Sequence, residues 1–274
     1  MQKIFDIHTH IYPDMVAQKA IDSLSRFYEF ERLYGFLPSG KGTMEDLYDS
    51  CLKSNVCGTL MLCVATNPKQ VCHINDFMAD IVKKYTSDTF TAVGFAGIHQ
   101  DFPEIAKETE RIAALGLKGI KIHPDIQGVN IDDNRLMELY EAIEGKMPLY
   151  VHLGDMRDEY QFSATERLAK IKKRFPNLEV VAAHLGGYTA WDKIGLLTDF
   201  DNIWFDSSSA LWVIDPIYAK SVMEVLGTKR IMFGTDYPVA YENEELERFM
   251  KVELDDDVRA DILYNNAARF LNLK

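Results

Sequence analysis

A chain of 274 residues with 47% hydrophobic and 26% charged side chains is long enough to bury a large core as one domain, and its proportions are those of an ordinary globular protein. Its formal net charge is -12, from 30 basic against 42 acidic side chains with no compensating Lys/Arg cluster, which argues against nucleic acid as a partner. No apolar run approaches the roughly 20 residues of a membrane-spanning helix, so no membrane association is expected.

The first predicted strand, residues 3–8, runs into Asp6-Ile7-His8-Thr9-His10. Alternate side chains of a strand share a face, so Asp6, His8 and His10 are expected to point one way, with two imidazoles close enough to grip one ion. An isolated pair of histidines at a strand end is as often a polar tip as a ligand pair, so its weight depends on the rest of the chain. Cleavage of a leader of about 15 residues would remove both histidines, so a cleaved signal peptide is not expected.

The second strand candidate, 58–64, lies far downstream, whereas the step from His152 to His184 is much shorter. Residues 11–42 fill this first connection with Tyr12, Phe27, Tyr28, Phe30, Tyr34 and Phe36, and close on Pro38-Ser39-Gly40-Lys41-Gly42. Such a segment reads either as a lid or specificity loop with a mobile glycine stretch, or as an extra helix packed on the body with its aromatics buried. Cys51, Cys57, Cys63 and Cys72 follow without a C-x-x-C pair. Neither a zinc knuckle nor a disulfide framework is suggested, and reduced thiols in a cytoplasmic protein are expected.

Further strand candidates at 91–96, 119–123, 149–152, 180–184, 203–206 and 230–234 alternate with helical patterns at 69–85, 103–115, 134–143, 164–174 and 217–226. Residues 243–252 and 256–270 read as closing helices. Eight strand-helix units predict a single (β/α)8 TIM barrel over residues 1–274, with an insertion after the first strand and extra C-terminal helices. The near-continuous apolar strands suit a parallel sheet buried on both faces.

In such a barrel the strand ends share one rim. His123, His152 and His184 each terminate a strand candidate, and Asp236 follows the last one, so five of the seven histidines and one aspartate are expected around a single pocket. His73, inside a helical pattern, and His99, in a loop, receive no role.

These motifs resemble the amidohydrolase superfamily, and within it the amidohydrolase 2 branch of aminocarboxymuconate-semialdehyde decarboxylase and its relatives. The resemblance covers nearly the whole chain. It rests on Asp6-x-His8-x-His10, on His152 after the fifth strand, on His184-Leu185-Gly186-Gly187 after the sixth and on Gly234-Thr235-Asp236-Tyr237-Pro238 after the eighth. It implies that His8, His10, His152 and Asp236 bind one divalent ion, commonly Zn2+; His184, placed on the same rim to hydrogen-bond the bound water or the substrate oxygen as charge develops, is then the catalytic candidate. A homodimer is a further expectation of the resemblance alone.

Three imidazoles and a carboxylate suit zinc, and an open position would let a bound water ionise near neutral pH. Asp236 then doubles as proton acceptor, and Asp6 is a candidate to orient a ligand. Lys121 shares a face with His123. Either it contacts substrate or pairs with a carboxylate, or it is carboxylated and bridges two metals, which would make His184 a ligand of the second. His123 is open between substrate contact and packing, and Arg157, Tyr188 and Trp191 are rim candidates for holding substrate.

Two reactions fit. Hydrolysis of a small amide, ester or lactone through a metal-activated water comes first as the broader class, and non-oxidative decarboxylation of a small unsaturated or aromatic acid is the alternative. TatD-type nucleases also open with H-x-H, but they place a glutamate where this chain offers Lys121 and His123, and the acidic charge opposes them. Histidinol-phosphatase-like barrels need more ligands. A metal with a purely structural or sensing role leaves the fourth rim histidine without a purpose.

Overall fold

Apolar runs buried on both faces form the strands of the computed structural model, which describes residues 2–273. Among the described residues these are β1 (Asp6–Thr9), β2 (Gly58–Leu62), β3 (Thr91–Gly97), β4 (Ile120–Ile122), β5 (Leu149–Val151), β6 (Val180–Ala182), β7 (Ile203–Asp206) and β8 (Ile231–Met232). They pair in parallel in sequence order. The ring closes between β8 and β1, where the Ile7 N–H donates to the Phe233 carbonyl at 2.9 Å and Asp236 N–H to the His8 carbonyl at 2.8 Å. The expected TIM barrel is thus present. Most strands end earlier than the apolar runs do, because ladder pairing stops where the chain turns outward into the rim loops.

Phe5, Leu60, Leu62, Val93, Phe95, Val181 and Met232 form one buried cluster with Ala267 and Phe270 of the C-terminal segment, which plugs the barrel floor. A second, larger cluster fills the layer between strands and outer helices. Each such side chain contributes about 1.5–3 kcal/mol of burial energy, so the floor and the outer layer hold the rim loops on a rigid frame. The expected helix at 256–270 is interrupted by a π turn at Asp261–Asn265. The widened turn presents the Leu263 and Ile262 carbonyls to the N–H groups of Phe5 and Phe233, each at 2.9 Å, which ties the C-terminus to the seam of the barrel.

The first connection is helical. It contains α1 (Asp14–Tyr28), α2 (Phe30–Tyr34) and α3 (Met44–Lys53). Gly35, with φ +75°, ends α2 in the left-handed conformation, and the Thr43 hydroxyl caps α3 by accepting the Asp46 N–H at 3.4 Å. The glycine stretch, mobile in one of the two readings of this segment, is held down. Ser39 N–H and Gly40 N–H donate to the Val239 and Pro238 carbonyls at 3.2 and 3.0 Å, and Gly42 N–H donates to the Tyr237 hydroxyl at 3.0 Å. A Cβ at Gly40 would run into the Tyr237 ring, so glycine there serves close approach. No helix among the described residues is long and apolar enough to cross a membrane.

Candidate active site

The rim is built from strand ends, and its first element departs from simple alternation. Asp6 pairs with Thr59 but Thr9 with Met61, so Ile7 and His8 of β1 together oppose Leu60 of β2. Asp6 consequently does not join the histidines. Its carboxylate accepts the His8 N–H at 3.1 Å and the Thr235 hydroxyl at 2.6 Å, and so holds the backbone of β1 rather than an imidazole.

His8 and His10 converge all the same. Their Nε2 atoms stand 3.2 Å apart, and Oδ1 of Asp236 lies 3.4 Å from the first and 3.5 Å from the second. Donors 2.0–2.1 Å from a tetrahedral ion are separated by roughly 3.3 Å, so this triangle has the dimensions of three metal ligands.

The tautomers support the same conclusion. His10 Nδ1 faces the Leu62 carbonyl at 2.9 Å, and His8 Nδ1 faces the Asp206 carboxylate at 3.1 Å. Both partners only accept, which assigns the ring protons to Nδ1 and leaves lone pairs on both Nε2 atoms. His184 follows the rule, with Nδ1 2.9 Å from the Ser208 carbonyl. Its Nε2 stands 2.9 Å from Nδ1 of His152, whose own Nε2 faces the Asp125 carboxylate at 4.0 Å. Lone pairs and a carboxylate crowded together call for a cation, and the residues present fit a divalent metal.

Burial favours the neutral form of the His10, His184 and His152 rings, the form that binds metal. It lowers His10 to about 3 and His184 to about 4, and takes His152 well below the ordinary histidine range. Burial alone would raise the Asp236 carboxyl, but His8, His184 and His10 outweigh it and keep the group ionised. Of the four ligands expected from the sequence, His8, His10 and Asp236 form one group with ligand atoms within 4.8 Å of one another. His152 stands beside that group through its contact with His184, and it also belongs to a neighbouring group with His123 and Asp125.

Left-handed backbone marks the same rim. His184 (φ 60°, ψ 48°), Leu185 (φ 53°) and Asp236 (φ 60°) adopt a conformation that costs non-glycine residues about 1–2 kcal/mol each. Gly234 allows the strands to come this close, since a Cβ there would stand 2.9 Å from the Cβ of His8 and 3.3 Å from that of Ser208.

Lys121 is fully buried on β4, and its Nζ has no hydrogen-bond partner among the described residues. The ammonium lies 4.7 Å from the centroid of the Tyr150 ring, and burial lowers its pKa to about 8. His123 stacks on His152 with ring centroids 4.0 Å apart and meets the Tyr28 hydroxyl of α1 at 2.6 Å. Arg157 is engaged elsewhere. Its guanidinium grips Asp155 (Nη2 to Oδ2, 2.7 Å) and the Phe27 carbonyl (2.7 Å), and lies against the Tyr160 ring at 4.1 Å. It therefore pins α1 to the loop after β5. Trp191 donates from Nε1 to the His184 carbonyl at 2.9 Å, a supporting contact.

Tyr28, Phe30 and Tyr188 with Phe27, Tyr34, Phe36 and Trp212 form an aromatic cap over the rim. Tyr188 stands 5.5 Å, centroid to centroid, from both His152 and His184. His10 and Asp236 keep 13% and 16% of their side-chain exposure, which makes their side the open one.

Sequence reasoning gave no site role to Asp206, Ser208 or Asp125, and named Tyr28 only among the aromatics of the first connection. The signal for Asp206 was the one that found the histidines, a polar residue closing an apolar strand in Ile203-Trp204-Phe205-Asp206. Burial alone would raise its carboxyl, but the His8 imidazole and the Ser208 hydroxyl hold it below the ordinary carboxylate range.

A family model described as amidohydrolase matches residues 64–273. The 2-amino-3-carboxymuconate-6-semialdehyde decarboxylase of Dictyostelium discoideum is 25% identical over 239 residues, covering 73% of this chain. The chain spans 66% of that relative's length, just under two thirds. Among solved structures, 5-carboxyvanillate decarboxylase of Sphingomonas paucimobilis superposes with a TM-score of 0.75 at 18% identity over 100% of both chains. Dihydroxybenzoic acid decarboxylase of Polaromonas sp. JS666, with bound manganese and the inhibitor 2-nitroresorcinol, gives 0.71 at 15% identity over 100% of this chain and 98% of that one. At such identities the structural likeness is one of fold.

Proposed function

The chain belongs to the amidohydrolase family, and on that premise we propose that it is a metal-dependent carboxy-lyase that releases carbon dioxide from a small unsaturated or aromatic acid. The names of its relatives favour this reading over the hydrolysis placed first from the sequence. The observation that carries it is Lys121. A buried ammonium without a hydrogen-bonding partner is costly; Asp236 and Asp206 act on it only through charge, and an anionic substrate supplies the partner it lacks. Hydrolysis of a neutral amide or ester makes no use of such a cation.

His8, His10 and Asp236, with His152 beside them, would hold the ion. When bound, a divalent metal supplies positive charge that orients and polarises substrate oxygens. Neutral imidazoles and a carboxylate accept zinc or manganese, so the donor set leaves both open. Lys121 holds the substrate carboxylate, and the rings of Tyr28 and Tyr188 exclude water above the reacting plane. The bond between carbon and carboxylate breaks, its electron pair stays on carbon, and the carboxylate leaves as carbon dioxide. A proton drawn from solvent takes its place, carried by His184 Nε2, the ring atom opposite its Ser208 contact, which gives up its 2.9 Å contact with His152 Nδ1 to deliver it. His123 anchors the cap from below through Tyr28.

The test is an assay of metal-loaded protein on hydroxybenzoic and conjugated acids, scoring carbon dioxide, against amides, esters and lactones, scoring released acid. Carbon dioxide from the first set supports the lyase. Acid from the second set, with no carbon dioxide from the first, supports hydrolysis instead.

A further inference from the structure

One buried carboxylate joins the two halves of the site. Asp206 Oδ2 lies 3.1 Å from His8 Nδ1 and accepts the Tyr150 hydroxyl at 2.6 Å. Oδ1 accepts the backbone N–H of His184 at 3.3 Å and of Ser208 at 2.8 Å, together with the Ser208 hydroxyl. Ser208 Oγ, donating to Asp206, turns its lone pairs toward His8 Nδ1 at 2.8 Å and His184 Nδ1 at 3.1 Å. Asp206 is fully buried, and five donors occupy its two oxygens. It has no capacity left for a substrate.

We propose that Asp206 is the positioning residue of this site: one carboxylate fixes His8 in the tautomer that turns Nε2 toward the metal and clamps His184 opposite it in its left-handed backbone. The proposal rests on the metal-dependent reading above. The argument is one of donors and acceptors. All five groups facing Asp206 donate, so only an ionised carboxylate satisfies them. Asparagine has the same shape but brings an NH2 that must face either His8 Nδ1 and Tyr150 or the His184 and Ser208 N–H groups. In the first orientation the NH2 confronts the His8 Nδ1–H, which keeps only Ser208 Oγ as acceptor; the form with the proton on Nε2, whose Nδ1 accepts from the amide, gains population, and in that form the lone pair that would bind metal is gone. In the second, the N–H of His184 loses its partner and the strained turn loosens. Carboxylates that hold ligating histidines in this way typically govern metal affinity by about 10–100-fold.

The experiment is titration of chelator-stripped protein with Mn2+ and with Zn2+, together with imidazole 15N spectra of the metal-free state. Wild type should show His8 protonated on Nδ1. Asp206→Asn should bind each ion 10–100-fold more weakly, with His8 shifted toward the Nε2–H form. Tyr150→Phe removes a neighbouring donor and leaves the His8 contact, and it should bind metal within a few-fold of wild type. If Asp206→Asn does not fold, Ser208→Ala takes its place, since it strips the hydroxyl that ties both imidazoles to the carboxylate and should also weaken metal binding. A folded Asp206→Asn that matches wild type in affinity and in the His8 spectrum overturns the proposal. A wild type that binds neither ion sinks the metal-dependent reading instead, and the spectra then decide alone: a His8 tautomer unchanged by Asp206→Asn overturns the proposal, and a switched one sustains it.

Discussion

The phenolic oxygen of Tyr28, on the helix that follows β1, stands 2.6 Å from Nε2 of His123 at the end of β4. The contact joins the cap to the rim beside His152, on which His123 is stacked. We propose that the aromatic insertion is a lid and that this hydrogen bond is its latch. Tyr28→Phe keeps the ring and removes the bond, at a cost of about 1 kcal/mol. Amides of α1 should then exchange roughly fivefold faster while those of the barrel strands stay unchanged. A uniform rise across the chain, or none in α1, contradicts the latch.

Lys121 predicts a pH dependence of substrate binding. Its pKa, lowered to about 8 by burial, leaves it cationic below that value and neutral above it. KM for an acid substrate should therefore rise as pH increases through about 8. In folding the sign is the opposite of an ordinary ion pair. The unfolded lysine holds its proton up to its usual 10.5, so between 8 and 10.5 the folded state gains stability as pH rises. Lys121→Met should lose substrate binding by more than about 10-fold while melting no lower than wild type near neutral pH, because it removes a buried charge. A variant that binds substrate normally would refute the role given to Lys121.

His184→Ala should retain its full complement of metal and lose turnover by about 100-fold to 10,000-fold. Metal analysis and steady-state rates on the same preparation check this. Loss of metal along with activity would instead make His184 a ligand and revive the two-metal arrangement through Lys121.

Gly234→Ala places a Cβ 2.9 Å from that of His8. The overpacking should cost about 1–3 kcal/mol in a denaturant melt and weaken metal binding, because His8 is the residue displaced. A variant with wild-type stability and affinity would show that β1 and β8 can separate without cost.

How much of this was legible in the chain depended on where each signal was local. The eight strands were legible because each is an apolar run set off from its neighbours, and five of the runs close on a polar residue (His8, His123, His152, His184 and Asp206), which is how the rim histidines were found. Asp206 is among them, but its importance lies in a contact with His8, 198 positions away, that no local pattern contains. The orientation of Asp6 was misjudged because the irregular pairing of β1 with β2 breaks strict alternation, and that irregularity is a property of the pair rather than of either strand. The α3 helix escaped notice because its apolar face, Met44, Leu47 and Cys51, is short and follows a glycine stretch that reads as loop. A mobile stretch was one of the two readings left open there, because its partners are backbone groups of residues 238 and 239, distant in sequence.

The most direct measurement is release of labelled carbon dioxide from carboxyl-13C hydroxybenzoic and conjugated acids by metal-loaded protein, with chelator-stripped protein and His184→Ala alongside. Metal-dependent decarboxylation at this rim predicts one carbon dioxide per molecule of product from the loaded wild type and essentially none from the other two. Release of acid from esters or amides without carbon dioxide from any of the acids, or carbon dioxide release indifferent to the metal, would contradict it.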